Sequence, residues 1–140
     1  MGVRKGRRDR GGGEAGVLYL DTHSAVWLAS GTTDWLTKKA SQALDMGDLR
    51  ISPIVVLELQ LMREKKRITT TVNEMLSHLL ASAGVQVCDL PWISVVEAAC
   101  EIEWTRDPCD RLIVAHAALQ GAQLITRDEV ILRNYARALC

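Results

Sequence analysis

Four acidic residues in this chain stand where a purely structural sequence avoids them, and their types point to cation and phosphate chemistry. Asp21 ends the apolar run VLYL, Glu58 interrupts IVVLELQLM, Asp110 opens RLIVAHAAL and Asp128 follows QLIT. On a helix, Glu58 faces Ile54, Val55, Leu61 and Met62, which leaves it no solvent-facing slot. A carboxylate buried there without a partner is costly, so something must compensate it. Four carboxylates brought together need a counter-charge, and a divalent cation is the economical one. An all-oxygen ligand set favours Mg2+ or Mn2+ over zinc.

Each acid also has a purely structural reading. Asp107 precedes Pro108, the pattern of an N-cap followed by proline in the first helical position. Asp110 then falls in the first turn, where the helix dipole favours an acid. Thr126 and Glu129 are spaced as a TxxE capping box, which makes Asp128 a first-turn acid, and Asp21 can cap the helix after its strand. One such reading is easily accepted; all four at once are not.

The elements that must position these acids alternate short β-rich runs with longer helical ones, the pattern of an α/β fold with a parallel sheet. Strands are expected at 17 to 21, 49 to 52, 85 to 90 and 123 to 126, with an edge strand at 136 to 140. Helices are expected after the first strand, at 33 to 46, from Ser52-Pro53 to the basic cluster Arg63, Lys65, Lys66 and Arg67, and at 70 to 83 before Gly84. Further helices start at Pro91, at Pro108 (closed by Gly121) and at Glu129. In such a sheet the strand C-termini and following helix N-termini share one edge. That edge collects Asp21, Asp110 and Asp128, with Glu58 within reach from the second turn of its helix.

The composition permits this reading. With 140 residues, 48% of them hydrophobic, and three prolines, the chain describes one folded domain, not a disordered or collagenous one. No apolar run approaches a membrane span of about 18 residues. The formal charge of zero is a sum of unequal parts: residues 1 to 16 hold five basic groups against two acidic, and residues 17 to 140 hold 12 against 15. The first segment reads as a disordered basic arm, and the remainder as a single domain. Without the apolar core of a signal peptide, a cytoplasmic location is expected, with Cys88, Cys100, Cys109 and Cys140 as thiols. His116 lies about two-thirds of a turn out of phase with Asp110, which suits packing better than catalysis. His23 directly follows the expected site strand. Trp27, Trp35, Trp92 and Trp104 read first as core in a chain without phenylalanine.

The segments YLDTHSAVWLASG, SPIVVLELQ, RDPCDRLIVAHA and LITRDEVI, in this order and spacing, resemble the PIN-domain family and within it the bacterial VapC-type toxins, over residues 17 to 135. The resemblance implies a three-layer α/β/α sandwich around a mostly parallel sheet of four to five strands. It implies a Mg2+ or Mn2+-dependent endoribonuclease, a small antitoxin as partner and a homodimer. By position, the family's acids are Asp21, Glu58, Asp110 and Asp128, with Asp107 as an auxiliary acid and Thr22 and Thr126 as hydroxyls that order the site. An acidic site repels RNA, so basic residues must offset it; Arg106, Arg111, Arg127 and the cluster at 63 to 67 are the candidates. Val26, Trp27, Leu28 and Trp35 are candidates for an antitoxin groove. Two other classes compete. One is a non-cleaving PIN-like module that binds RNA or protein, although none of the acids is missing. The other is a haloacid-dehalogenase-type phosphatase, which wants a second Asp where His23 stands.

Overall fold

The computed structural model describes residues 16–140. The basic arm expected at 1 to 16 therefore lies, except for Gly16, outside the described residues. Five strands, β1 (Val17–Leu20), β2 (Asp48–Ile51), β3 (Gln86–Val87), β4 (Gln123–Ile125) and β5 (Ala138–Leu139), form one sheet in the order β3-β2-β1-β4-β5. Its four pairings are all parallel, with Leu18 opposite both Leu49 and Gln123. The helices are α1 (Thr22–Ala29), α2 (Lys38–Met46), α3 (Pro53–Glu64), α4 (Val72–Ala83), α5 (Trp92–Cys100), α6 (Pro108–Leu119) and α7 (Glu129–Asn134).

The burial of β1 explains the layering. Leu18, Tyr19 and Leu20 are successive, so their side chains point to alternate faces, yet all three are at most 2% exposed. Both faces must then be covered by helices, which is why this strand reads as a continuous apolar run. The result is the expected three-layer sandwich. The chain builds β1, β2 and β3 toward one edge and then returns to the other side of β1 for β4 and β5. The order reverses between β1 and β4, and such a reversal opens a crevice beyond the strand C-termini.

Local signals end the elements close to expectation. Ser52 caps α3 with Pro53 in the first turn, Thr71 and Glu74 form a complete capping box on α4, and Gly84 closes α4 in the left-handed region at φ 72°. Two expectations need correction. The second helix begins at Lys38, not at 33, because the Thr37 hydroxyl caps it at Ala40, and residues 31 to 36 turn instead, with the Trp35 indole donating to the Thr32 carbonyl at 2.8 Å. The third strand spans two residues instead of six. The chain leaves the ladder after the Cys88 N–H bonds to the Ile51 carbonyl, and the Cys88 thiol then accepts from both Tyr19 and the Leu90 N–H.

Gly47, where α2 meets β2, is needed for close approach. A Cβ there would lie 2.9 Å from the Leu18 Cβ and 3.0 Å from the Ala43 carbonyl. Neither atom is the end of a flexible side chain. Gly47→Ala is therefore expected to lower stability by about 1–3 kcal/mol, the usual cost of overpacking, and a urea midpoint equal to wild type would contradict it.

Candidate active site

The crevice between β1 and β4 is built by helix capping. Asp21 follows β1 and caps α1, its Oδ1 accepting the Ser24 N–H at 2.9 Å. Its Oδ2 accepts the hydroxyl of Thr126 at 2.5 Å. Thr126, fully buried at the end of β4, accepts in turn the Asp128 N–H at 3.0 Å. Asp128 caps α7 by accepting the Val130 and Ile131 N–H groups on one oxygen, at 2.9 and 3.0 Å. Asp107 caps α6 through the Asp110 N–H at 3.0 Å, and Asp110 stands in the first turn of that helix. Glu58, on α3, is held by the hydroxyl of buried Thr22.

Capping and site roles are thus not alternatives. Asp21, Asp107 and Asp128 each cap a helix and also line one cavity, because an N-cap carboxylate needs only one oxygen for the backbone. The TxxE box expected at Thr126 and Glu129 does not form. Asp128 itself takes the cap, which frees the Thr126 hydroxyl to join Asp128 to Asp21.

All five acids line a single cavity of about 420 Å³, together with Thr22, His23, Trp27, Leu61, Met62, Lys65, Arg67, Ile113 and Arg127. Asp110 registers their proximity most clearly. Burial first, then the charges of Asp107, Asp128, Glu58 and Asp21, push its carboxyl up to about 7 from its ordinary 3.8. Cys109, beside Glu58 and read from sequence only as a thiol, is pushed up to about 11 by burial and by Glu58, Asp107 and Asp110. It stays protonated at neutral pH and is no nucleophile.

This donor set fits a hard divalent cation: several carboxylate oxygens around one cavity, and an acid whose proton is retained by burial and by the negative charge of its neighbours. Among the described residues, no three side chains already form a closed ligand cage. Mg2+ does not need one, since it binds through one or two carboxylates and keeps water.

The basic candidates divide. Arg127 lines the cavity, as do Lys65 and Arg67 from the cluster after α3. Arg106 and Arg111 do not. Arg106 is exposed outside the cavity lining, and Arg111 donates its Nε–H to the Thr105 carbonyl at 2.8 Å, bracing the loop before α6. Sequence adjacency to an acid does not by itself bring a side chain to the cavity, because consecutive residues at a helix start point in different directions. His23 lines the cavity. His116 is fully buried between the Tyr19 and Trp92 rings, where burial lowers its pKa, in keeping with a packing role. The apolar wall of Leu61, Met62 and Ile113 went unread, although its signal was the apolar surroundings used to mark Glu58. Val26, Leu28 and Trp35, the groove candidates, are half-buried and pack against the main core.

Comparison with known proteins agrees with this architecture. The family model of the PIN domain matches residues 18–138. Ribonuclease VapC22 of Mycobacterium tuberculosis is 35% identical over 118 residues, covering 80% of this chain and 87% of that protein. Two solved structures share the fold. VapBC2 from Rickettsia felis, bound to a DNA fragment from its promoter, superposes with a TM-score of 0.63 at 22% identity, covering 89% of this chain and 97% of the other. A toxin-antitoxin complex from Klebsiella pneumoniae gives 0.60 at 20% identity, covering 88% and 96%.

Proposed function

The chain belongs to the PIN-domain family as a homologue of a VapC ribonuclease, and on that premise we propose that its acid-lined cavity is the centre of a metal-dependent endoribonuclease, the toxin of a toxin-antitoxin pair. The observation that carries the assignment is Asp110, whose carboxyl is opposed by four other acids in one cavity at the sheet's reversal point. A non-cleaving module has no use for such repulsion. The phosphatase alternative falls with the family.

Asp21, Asp110 and Asp128 are assigned to hold Mg2+ or Mn2+, with Glu58 as a further ligand or as the group that orients the attacking water. When bound, the cation would polarise the phosphate and make a bound water more acidic. The remaining tasks belong to the chain. Thr126 holds Asp21 against β4, and Thr22 holds Glu58, which in its ionised form can take the proton of a water attacking phosphorus in line. Asp107 is auxiliary, fixing the start of α6 and so the place of Asp110. Lys65, Arg67 and Arg127 draw the RNA backbone toward a cavity that would otherwise repel it.

An antitoxin is the proposed protein partner. Exposed Leu57 and Leu61, one turn apart on α3 with Leu61 at the cavity, support an apolar contact beside the site. A homodimer is proposed as well, and the exposed neighbours Trp92 and Ile93 at the start of α5 are consistent with it. Among the described residues no helix is long and apolar enough to cross a membrane. Residues 17 to 140 are taken as the nuclease domain.

The test is cleavage of a fluorescent single-stranded RNA by the purified chain. Turnover is expected with Mg2+ or Mn2+, to stop with EDTA and to return when the cation is restored. Equal rates with and without EDTA would remove the metal from the assignment; no cleavage under any of these conditions would remove the nuclease.

A further inference from the structure

One wall of the cavity carries aromatic rings and a cation that the acid chemistry does not use. His23 and Trp27 lie one helical turn apart on α1, their rings 5.7 Å apart, and both line the cavity. Trp27 continues onto Trp35 at 5.0 Å, with the two rings inclined by 60°. Trp35 is the anchored member: it packs against the main core, and its indole N–H is bonded to the Thr32 carbonyl. The guanidinium of Arg127 lies over both indoles, 5.4 Å from the Trp27 ring and 5.8 Å from that of Trp35.

Arg127 immediately precedes Asp128, yet it rests on aromatic faces rather than on an acid. Among the described residues, the ion pairs join Arg50 to Asp48 and Arg133 to Glu129. Two ring faces limit where the long side chain can go without neutralising its charge. The guanidinium thereby keeps its donors for an incoming anion. Trp27, half-buried and at the cavity, offers a ring next to that cation.

We propose that Trp27 and Arg127 form a subsite for one nucleotide of a single-stranded RNA segment, the base stacking on the indole and the adjacent phosphate bound by the guanidinium. His23 borders the same base, and Trp35 positions the other two. The inference rests on the nuclease reading and names the residues that would hold one nucleotide of its substrate. A base inside a duplex is stacked on its neighbours and cannot offer its face to a side chain; a base in a loop or unpaired strand can. Stacking tolerates any base, so the subsite selects strand state over sequence.

The experiment separates base from phosphate. Binding is measured by fluorescence anisotropy in Mg2+, in the cleavage-blocked Asp110→Asn background. The probes are a fluorescein-labelled ten-nucleotide mixed-sequence RNA, the same length of abasic strand, and the RNA annealed to its complement. The parent is expected to prefer the base-bearing single strand over both other probes. Trp27→Ala should lose about 5- to 100-fold in affinity for that strand and little for the abasic one, while Trp27→Phe retains most of the preference. Trp27→Leu keeps the apolar bulk without the ring and serves if Trp27→Ala is unfolded by circular dichroism; it should behave as the alanine variant does. Arg127→Ala should weaken both single strands and lower the salt dependence of binding by about one phosphate contact.

Equal losses on base-bearing and abasic strands in a folded Trp27 variant would overturn the stacking role. Unchanged RNA affinity would overturn the subsite and leave the wall to a protein partner. The nuclease reading fails separately: it falls if the unsubstituted chain cleaves no RNA, whatever the binding ratios, and stands if cleavage occurs while those ratios do not change.

Discussion

Asp21→Asn is expected to slow RNA cleavage by on the order of 10³-fold or more, the loss that follows when several kcal/mol of charge stabilisation are removed from the transition state. Asparagine keeps the shape of the side chain, so the effect isolates its charge. A second consequence follows from the hydrogen bonds. Asp21 accepts at both oxygens, from the Ser24 N–H on one and from the Thr126 hydroxyl on the other. Thr126 already accepts the Asp128 N–H and could accept an asparagine NH2 on its second lone pair, but its own buried O–H would then lose its acceptor. An asparagine has one acceptor and one NH2, so one orientation sets its NH2 against the Ser24 N–H and the other leaves the Thr126 O–H without its acceptor. The variant should therefore also lose about 1–3 kcal/mol, the cost of an unsatisfied buried group. Cleavage rates with and without Mn2+, and urea midpoints, measure the two effects. A variant that retains a tenth of wild-type activity would show that Asp21 is a cap and nothing more.

Asp110→Asn is expected to abolish cleavage to a similar degree but to move stability the other way. In the unfolded chain this carboxyl titrates near its ordinary 3.8, and in the fold near about 7. Between these values the folded protein holds a proton that the unfolded chain has released. Stability contributed by this group is therefore complete below about pH 4, falls as pH rises toward 7, and stays low above. A shift of this size corresponds to about 4 kcal/mol, but Asp110 is only half-buried and water at the cavity mouth screens its neighbours. About 1–2 kcal/mol is the share expected to survive. A neutral asparagine escapes this loss, so without metal at pH 8 the variant should melt several degrees above wild type, with the gap closing by pH 4. Mg2+ should narrow the difference at pH 8 by stabilising wild type more, since a ligand that binds only the folded state raises its stability. Equal melting at pH 8 without metal would mean that the acids do not burden one another.

The opposite signs expected for these two effects follow from the different surroundings of the two acids. Asp21 is fully bonded, and its charge is supported by donors on both sides. Asp110 is the one that its neighbours oppose. Both belong to the proposed metal site, but only the second records how costly it is to gather negative charge there.

Much of this was legible in the sequence. Asp21, Glu58, Asp107, Asp110 and Asp128 do line one cavity, because each belongs to a strand end or an early helical turn and a parallel sheet delivers those to one edge. The helices capped by Ser52 and Thr71 begin where those residues stand, since capping is a local contest that a few side chains decide. The start of the second helix was misplaced because Thr37 lies within the same polar stretch and only its hydroxyl geometry marks the boundary. Arg127 lines the cavity and Arg106 and Arg111 do not, although all three are neighbours of acids. What differs is the direction each takes on leaving the chain.

The sequence by itself determined which acids stand at strand ends and early helical turns and in what order, because apolar periodicity and caps are properties of neighbouring residues. Only the tertiary structure decided that Thr126 would bond to Asp21, 105 residues away, that Asp110 would feel four other charges, and that Arg127 would settle across the indoles of Trp27 and Trp35. Those facts depend on distances between elements that share no stretch of chain, and such distances exist only once β1 and β4 lie side by side and the helices have closed over them.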